Sequence, residues 1–248
     1  MRYFFEIAYH GGSYNGWQSQ HNATGVQEIV ENVMSKIFRL PVTIVGSGRT
    51  DTGVHCEQQF FHTDLNTSFD KEDLIRKLNS FLPRDIVIRS VREVKPDASA
   101  RYDAIERIYR YQITRVKDPF AHGLSWHYFK DLHIENMNKA AAFIEGEHDF
   151  ECFSKVKTDV NHFICDVKKA HWAESDGRLI FEISANRFLR GMVRAIVGTL
   201  LDVGTGKITH KEFVSIIESR DRKKAGANVP AYGLYLEKVK YPSRIFVK

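Results

Sequence analysis

The sequence predicts an α+β protein with two related lobes, each a mainly antiparallel sheet backed by helices, and a cleft between the lobes. Apolar side chains alternate in segments such as residues 2–9, which indicates half-buried strands. Other segments, such as residues 26–37, carry apolar residues at helical spacing. The order over residues 1–94 is strand, helix, strand, strand, helix, strand, which is the ferredoxin-like plan.

The first lobe is assigned to residues 1–98. The segment after the first strand, residues 10–20, is rich in glycines and polar residues and is therefore predicted to be a loop. Pro83 is predicted to end the second helix. The predicted elements are a strand at 2–9, a loop at 10–20, a helix at 26–37, strands at 42–45 and 58–62, a helix between 68 and 83, and a strand at 86–94. Residues 95–104, polar with one proline, are predicted to be a linker.

The second lobe, residues 99–248, repeats this mixture of strands and helices. A capping box of Thr209 and Glu212 predicts the start of one of its helices. The predicted elements are a strand at 108–113, a helix at 134–144, paired strands at 167–174 and 179–188, a long apolar helix from 188, the capped helix, and a strand at 232–241.

The loop at residues 46–55 carries the main candidate for chemistry. It has three glycines, with Arg49 and Asp51 between them. One interpretation is a hairpin connection with solvated charges. The other is a carboxylate held beside an arginine in a cleft, where it stays ionised and acts as a nucleophile.

The loop at residues 10–20 is a candidate for nucleic-acid contact. Tyr14, Trp17 and Gln18 are side chains suited to stacking on bases and hydrogen-bonding them. Alternatively, Tyr14 and Trp17 cap the hydrophobic core.

The predicted apolar helix from residue 188 carries a basic stripe. At 100° per residue, Arg187, Arg190 and Arg194 fall together opposite the apolar face. This stripe is interpreted either as a surface that binds a phosphate backbone or as a solvated polar face. Tyr109 shares a strand face with Tyr111, which by itself predicts a core residue of the sheet.

Composition limits the function classes. A net charge of +5 permits a polyanionic partner without requiring one. The three cysteines lack zinc-site spacing and are expected to be reduced thiols of a cytoplasmic protein. The longest apolar stretch, residues 188–203, is interrupted by charges, so no membrane association is expected. We find no phosphate-binding or dinucleotide motif, and we expect no metal and no cofactor.

Five motifs, in order, resemble those of the TruA family of tRNA pseudouridine synthases. Residues 48–55 resemble its Gly-Arg-Thr-Asp-Ala-Gly-Val-His signature, with Thr52 in place of Ala. Residues 9–20 resemble its first-loop motif, with His10 where Asp is common. The other similar segments are 107–111, 186–198 and 225–236, the last with Val229 in place of Ala.

The resemblance implies an isomerase that converts uridine to pseudouridine at tRNA positions 38, 39 and 40, with neither redox cofactor nor metal. It implies that Asp51 is catalytic and that Arg49 or Arg194 keeps it ionised. Tyr109 would stack on the uracil and assist proton removal. The implied assembly is a homodimer with tRNA bound across both subunits.

Two other functions stay open at this point. One is a non-catalytic protein that helps tRNA fold. The other is a hydrolase with an aspartate nucleophile, which would release free uracil.

Overall fold

The computed structural model describes residues 1–19, 23–155 and 161–247 of the 248-residue chain. It divides into two compact units, Met1–Ile105 with Leu236–Lys248, and Glu106–Tyr235. Both contain a mainly antiparallel sheet and helices, which confirms the α+β class. The domain boundary after residue 98 stays a prediction, and the compact units differ from it by grouping the C-terminal segment with the first unit.

The first unit follows the predicted order of elements. Its elements are β1 (Arg2–Tyr9), α1 (Val26–Phe38), β2 (Val45–Gly46), β3 (His55–Asp64), α2 (Lys71–Phe81), β4 (Ile86–Val94) and most of β10 (Leu234–Lys240). β1 is central and pairs antiparallel with β3 and β4. β2 and β10 both lie beside β3.

The two faces of this sheet are held by aromatic side chains. On one face Phe5 stacks on Phe61 at 4.9 Å between ring centroids. On the other, Phe4 meets Tyr241 and Phe246 of the C-terminal segment edge to face. Because burial of such rings dominates core energetics, the C-terminal segment is an integral part of this unit.

Among its described residues, the second unit has a sheet of four antiparallel strands with one short added strand, and three α-helices. Its elements are β5 (Glu106–Thr114), β6 (Trp126–His127), α3 (Ile134–Phe143), β7 (Gly146–Asp149), β8 (Ile164–Ser175), β9 (Arg178–Ala185), α4 (Met192–Gly204) and α5 (His210–Ser219). The strand order is β5-β9-β8-β7, and β6 adds a short parallel pairing to β5. α3 packs on both α4 and β8. The capping box at the start of α5 is confirmed, because Thr209 and Glu212 exchange both of its hydrogen bonds.

The apolar helix α4 begins four residues later than predicted, at Met192. Gly191 before it has a φ of +75°, in the left-handed region, which glycine adopts without steric cost. Arg187 and Arg190 therefore lie on the segment before the helix, and the prediction of three arginines on one helical face is wrong.

The predicted strand at residues 42–45 is also wrong, since only Val45–Gly46 pairs with β3. The amide of Val42 donates to Ser35 Oγ and that of Ile44 to Glu31 Oε1, each at 2.9 Å. Side chains of α1 thus satisfy the donors that a strand partner would have taken. Within the described ranges, no helix has the length and apolar character needed to cross a membrane.

Candidate active site

The aspartate loop, residues 46–55, leads from β2 into β3. Its first turn is fixed by the amide of Ser47, which donates to the carbonyl of Phe60 at 2.7 Å. Its second is closed by the amide of Val54, which donates to the carbonyl of Asp51 at 3.2 Å. Gly53, with a φ of +79°, makes this turn possible. The loop leaves Asp51 half-buried and Arg49 exposed.

The first loop, residues 10–17, packs directly against the backbone of the aspartate loop. Gly16 approaches so closely that a Cβ there would lie 2.1 Å from the carbonyl oxygen of Thr50 and 3.1 Å from the carbonyl carbon of Asp51. The amide of Gly53 donates to the carbonyl of Tyr14 at 3.2 Å. The backbone on both sides of the candidate carboxylate is therefore positioned by the first loop.

Buried side chains join the same two loops. The hydroxyls of Tyr9 and Thr50 are 2.9 Å apart. The amide of Gly11 donates to Nδ1 of His55 at 3.0 Å, so this nitrogen carries no proton. Polar contacts buried away from water are costly to leave unmade, and these two hold the aspartate loop in one conformation.

The residues predicted from the first loop for substrate contact differ in exposure. Trp17 is 2% exposed and lies between the rings of Tyr9 and Phe61. Tyr14 is buried and donates from its hydroxyl to Asp85. Burial and this hydrogen bond raise the pKa of the Tyr14 phenol. The burial of both rings favours their interpretation as core residues.

Gln18 is half-buried beside them and stays a predicted substrate contact. Gln20, which ends the motif, lies outside the described residues.

In the second unit, Tyr109 is half-buried on β5, and its ring meets Phe188 edge to face at 5.1 Å. Tyr111 on the same strand is fully buried and donates from its hydroxyl to the carbonyl of Pro230 at 2.9 Å. Burial raises the pKa of Tyr111, and the charge of Arg194 partly opposes this. The two tyrosines predicted to share a face therefore differ, because only Tyr109 retains accessible surface.

Arg194, in the first turn of α4, is half-buried and donates from Nε to the carbonyl of Val229 at 2.7 Å. The amide of Val229 donates back to the carbonyl of Arg194. This exchange joins α4 to the loop before β10 and orients the guanidinium. The other two arginines of the predicted stripe lie before α4. A guanidinium nitrogen of Arg187 lies 3.1 Å from Nε2 of His162, and Arg190 is exposed.

Sequence reasoning overlooked three residues that position this machinery. Phe188, counted there as an apolar helical residue, lies before α4 against Tyr109. Tyr9 was assigned to a strand face and Gly16 to a loop, both within the motif at residues 9–20, but neither was given a positioning role. A glycine next to a buried aromatic was the one available signal for close backbone approach. Across the part of the chain that the structure describes, no cluster of three His, Cys, Asp or Glu is placed to hold a metal.

Comparison with known proteins gives one consistent result. A family model described as tRNA pseudouridine synthase matches residues 7–103 and 140–242. A tRNA pseudouridine synthase A of Porphyromonas gingivalis is 49% identical over 99% of both chains. The protein of that name from Bacteroides thetaiotaomicron is 45% identical over 99% of this chain and 93% of its own. A more distant one, from Exiguobacterium sibiricum, is 35% identical over 97% of both chains.

Proposed function

Because this chain belongs to the tRNA pseudouridine synthase family, we propose that it converts uridine to pseudouridine in tRNA, at positions 38, 39 and 40 of the anticodon arm. The observation that carries the proposal is the half-buried Asp51 on a loop whose backbone is positioned by a second loop. Catalysis depends on holding the reacting group in one geometry, and this loop has few ways to move.

The reaction breaks the N1–C1′ bond of uridine and forms a C5–C1′ bond. C5 loses a proton and N1 gains one, so the product is an isomer and no redox step is required. Asp51 acts either as a nucleophile at C1′ or C6, or first as a base towards a glycal. Arg49 or Arg194 supplies the positive charge that pairs with this carboxylate.

The base must leave its helical stack before C1′ can be reached, at a cost of a few kcal/mol. Tyr109 stacks on the uracil and assists removal of the C5 proton. The half-buried ring of Tyr109 retains accessible surface and is supported from the side by Phe188, which favours this role. Arg187 and Arg190 bind phosphates, with Gln18 and the aromatic residues Tyr14 and Trp17 as further contacts. The burial of the last two makes them the weakest members of this set.

The proposal includes a homodimer in the cytoplasm, where tRNA is found, with no membrane partner. Val116, Phe120 and Phe129 of the second unit expose at least 77% of their surfaces. β5 and β6 run parallel with Thr114 opposite His127, which brings the segments carrying Val116 and Phe129 side by side. Such surface supports an interface between copies. The molar mass from light scattering should correspond to two chains. A monomeric protein with full activity would refute the homodimer proposal.

Tritium release from tRNA carrying C5-tritiated uridine tests the central proposal. Wild-type protein should release tritium and retain the uracil in the RNA. Asp51→Asn should release none while its tRNA affinity stays within a few-fold, because an amide has the shape of the carboxylate but neither its nucleophilicity nor its basicity.

Asp64→Asn, in the same unit, is the matched control and should keep its activity. If Asp51→Asn kept most of the wild-type rate, the assignment of Asp51 as the catalytic residue would be refuted. Binding without tritium release in the wild type would indicate a folding aid, and free uracil would indicate a hydrolase.

A further inference from the structure

We propose that Arg101 and Tyr102 form a stacking platform for one nucleotide base of the RNA substrate. The proposal rests on the proposed function and adds a contact surface in the first unit. The two residues lie in the segment that composition alone predicts to be a linker, outside the motifs described above.

The first observation is the exposure of an aromatic ring that has no packing role. Tyr102 is 80% exposed. The guanidinium carbon of Arg101 lies 5.4 Å from the centroid of its ring, within the range of a cation–π contact. With four-fifths of its surface accessible, the Tyr102 ring can be reached by a planar ligand.

The second observation is that the backbone beneath this ring is anchored to the sheet. The amide of Ala100 donates to Nδ1 of His62 at 3.0 Å, and the hydroxyl of Tyr241 donates to the carbonyl of Ala100. Arg2 donates from Nη1 to the carbonyl of Ala98 at 3.0 Å. Burial lowers the pKa of His62, which agrees with a ring nitrogen that accepts a hydrogen bond.

The turn is also closed internally. The amide of Ser99 donates to the Asp103 carboxylate at 2.7 Å, and the amide of Asp103 donates to the carbonyl of Ser99 at 3.1 Å. The amide of Tyr102 donates to Ser99 Oγ at 3.4 Å. An exposed ring on a backbone fixed in this way binds with little loss of conformational entropy.

The chemistry of the pair selects a nucleotide as the partner. An aromatic face stacks on any base, and a guanidinium pairs with phosphate through parallel hydrogen bonds. The net charge of +5 is compatible with such a polyanionic partner.

Affinity for a fluorescently labelled, unmodified tRNA transcript tests the proposal. Tyr102→Ala should raise Kd about 5- to 150-fold, the effect of losing one base–aromatic stack. Tyr102→Phe and Tyr102→Trp should restore binding, because the face of the ring is retained. Phe81→Ala removes another exposed ring, 62% exposed at the end of α2, and should leave Kd unchanged.

Salt dependence separates the two members of the pair. Arg101→Ala should reduce the slope of log K against log salt by about 0.7 to 0.9, the loss of one phosphate contact. Tyr102→Ala should weaken binding with the slope unchanged, because stacking releases no counterion.

Three results would overturn the platform: an unchanged Kd in Tyr102→Ala, failure of Tyr102→Trp to restore binding, or a changed molar mass in Tyr102→Ala, which would make the ring a protein contact. In Tyr102→Ala, the single-turnover rate at saturating tRNA should stay at the wild-type value. If wild-type protein releases no tritium, the proposed function fails, while the Kd comparison still decides whether the platform exists.

Discussion

Replacing Gly16 with alanine tests whether the first loop positions the catalytic aspartate. With φ at +80°, an alanine there pays about 1–2 kcal/mol for the left-handed conformation. Its Cβ would also lie 2.1 Å from the carbonyl oxygen of Thr50, so the two backbones must separate by at least roughly 1.3 Å to reach the 3.4 Å of ordinary contact. Because Asp51 follows Thr50, its carboxylate moves too. A misplacement of about 1 Å costs on the order of 10² in rate.

The control is Gly177→Ala in the β8–β9 turn. Gly177 has a φ of +70° and nothing within 4 Å of the added carbon, so it pays the same backbone penalty without the clash. Gly16→Ala should lose more free energy of unfolding in urea than Gly177→Ala, because it alone adds the clash with Thr50. Only Gly16→Ala should lose about 100-fold in single-turnover tritium release at saturating tRNA. A wild-type rate in folded Gly16→Ala would refute the positioning argument.

Three further predictions concern other parts of the molecule. Tyr109→Phe should lose at least about tenfold in single-turnover rate with an unchanged melting temperature, because a phenol that moves a proton cannot be replaced by a benzene ring; full activity would leave stacking as its only role. Arg187→Ala or Arg190→Ala should each lower the salt slope of tRNA binding by about 0.7 to 0.9 without changing the chemical step. An unchanged slope would show that the Arg187 and Arg190 side chains are solvated and do not contact phosphates. The hydrogen bond from Arg2 lowers the pKa of Asp64, so this carboxylate stabilises the fold above the ordinary carboxyl pKa of about 4 and loses that effect as pH falls through its lowered value. Asp64→Asn should therefore be less stable at pH 7 by under about 1 kcal/mol, and equal to wild type in acid.

Much of the fold could be predicted from the sequence because local pattern and tertiary environment agree there. The apolar residues of β1 favour a strand, and β1 is buried along most of its length as the central strand of the first unit. The strand predicted at residues 86–94 has these bounds as β4. The aspartate loop was recognisable because three glycines and a charged pair are a local feature, and the family signature occupies that same stretch.

The tertiary structure alone decided which of several locally acceptable arrangements occurs. An apolar strand at residues 42–45 was plausible until side chains of α1 took its amides. Trp17 suited a base or a core equally well, and contacts with Tyr9 and Phe61 settled its burial. Residues 95–104 looked like a linker because the group that anchors them is remote in sequence: the amide of Ala100 donates to Nδ1 of His62, 38 residues away. Local sequence determines what a segment is able to form, whereas burial and hydrogen bonding by distant residues determine which form has the lowest free energy.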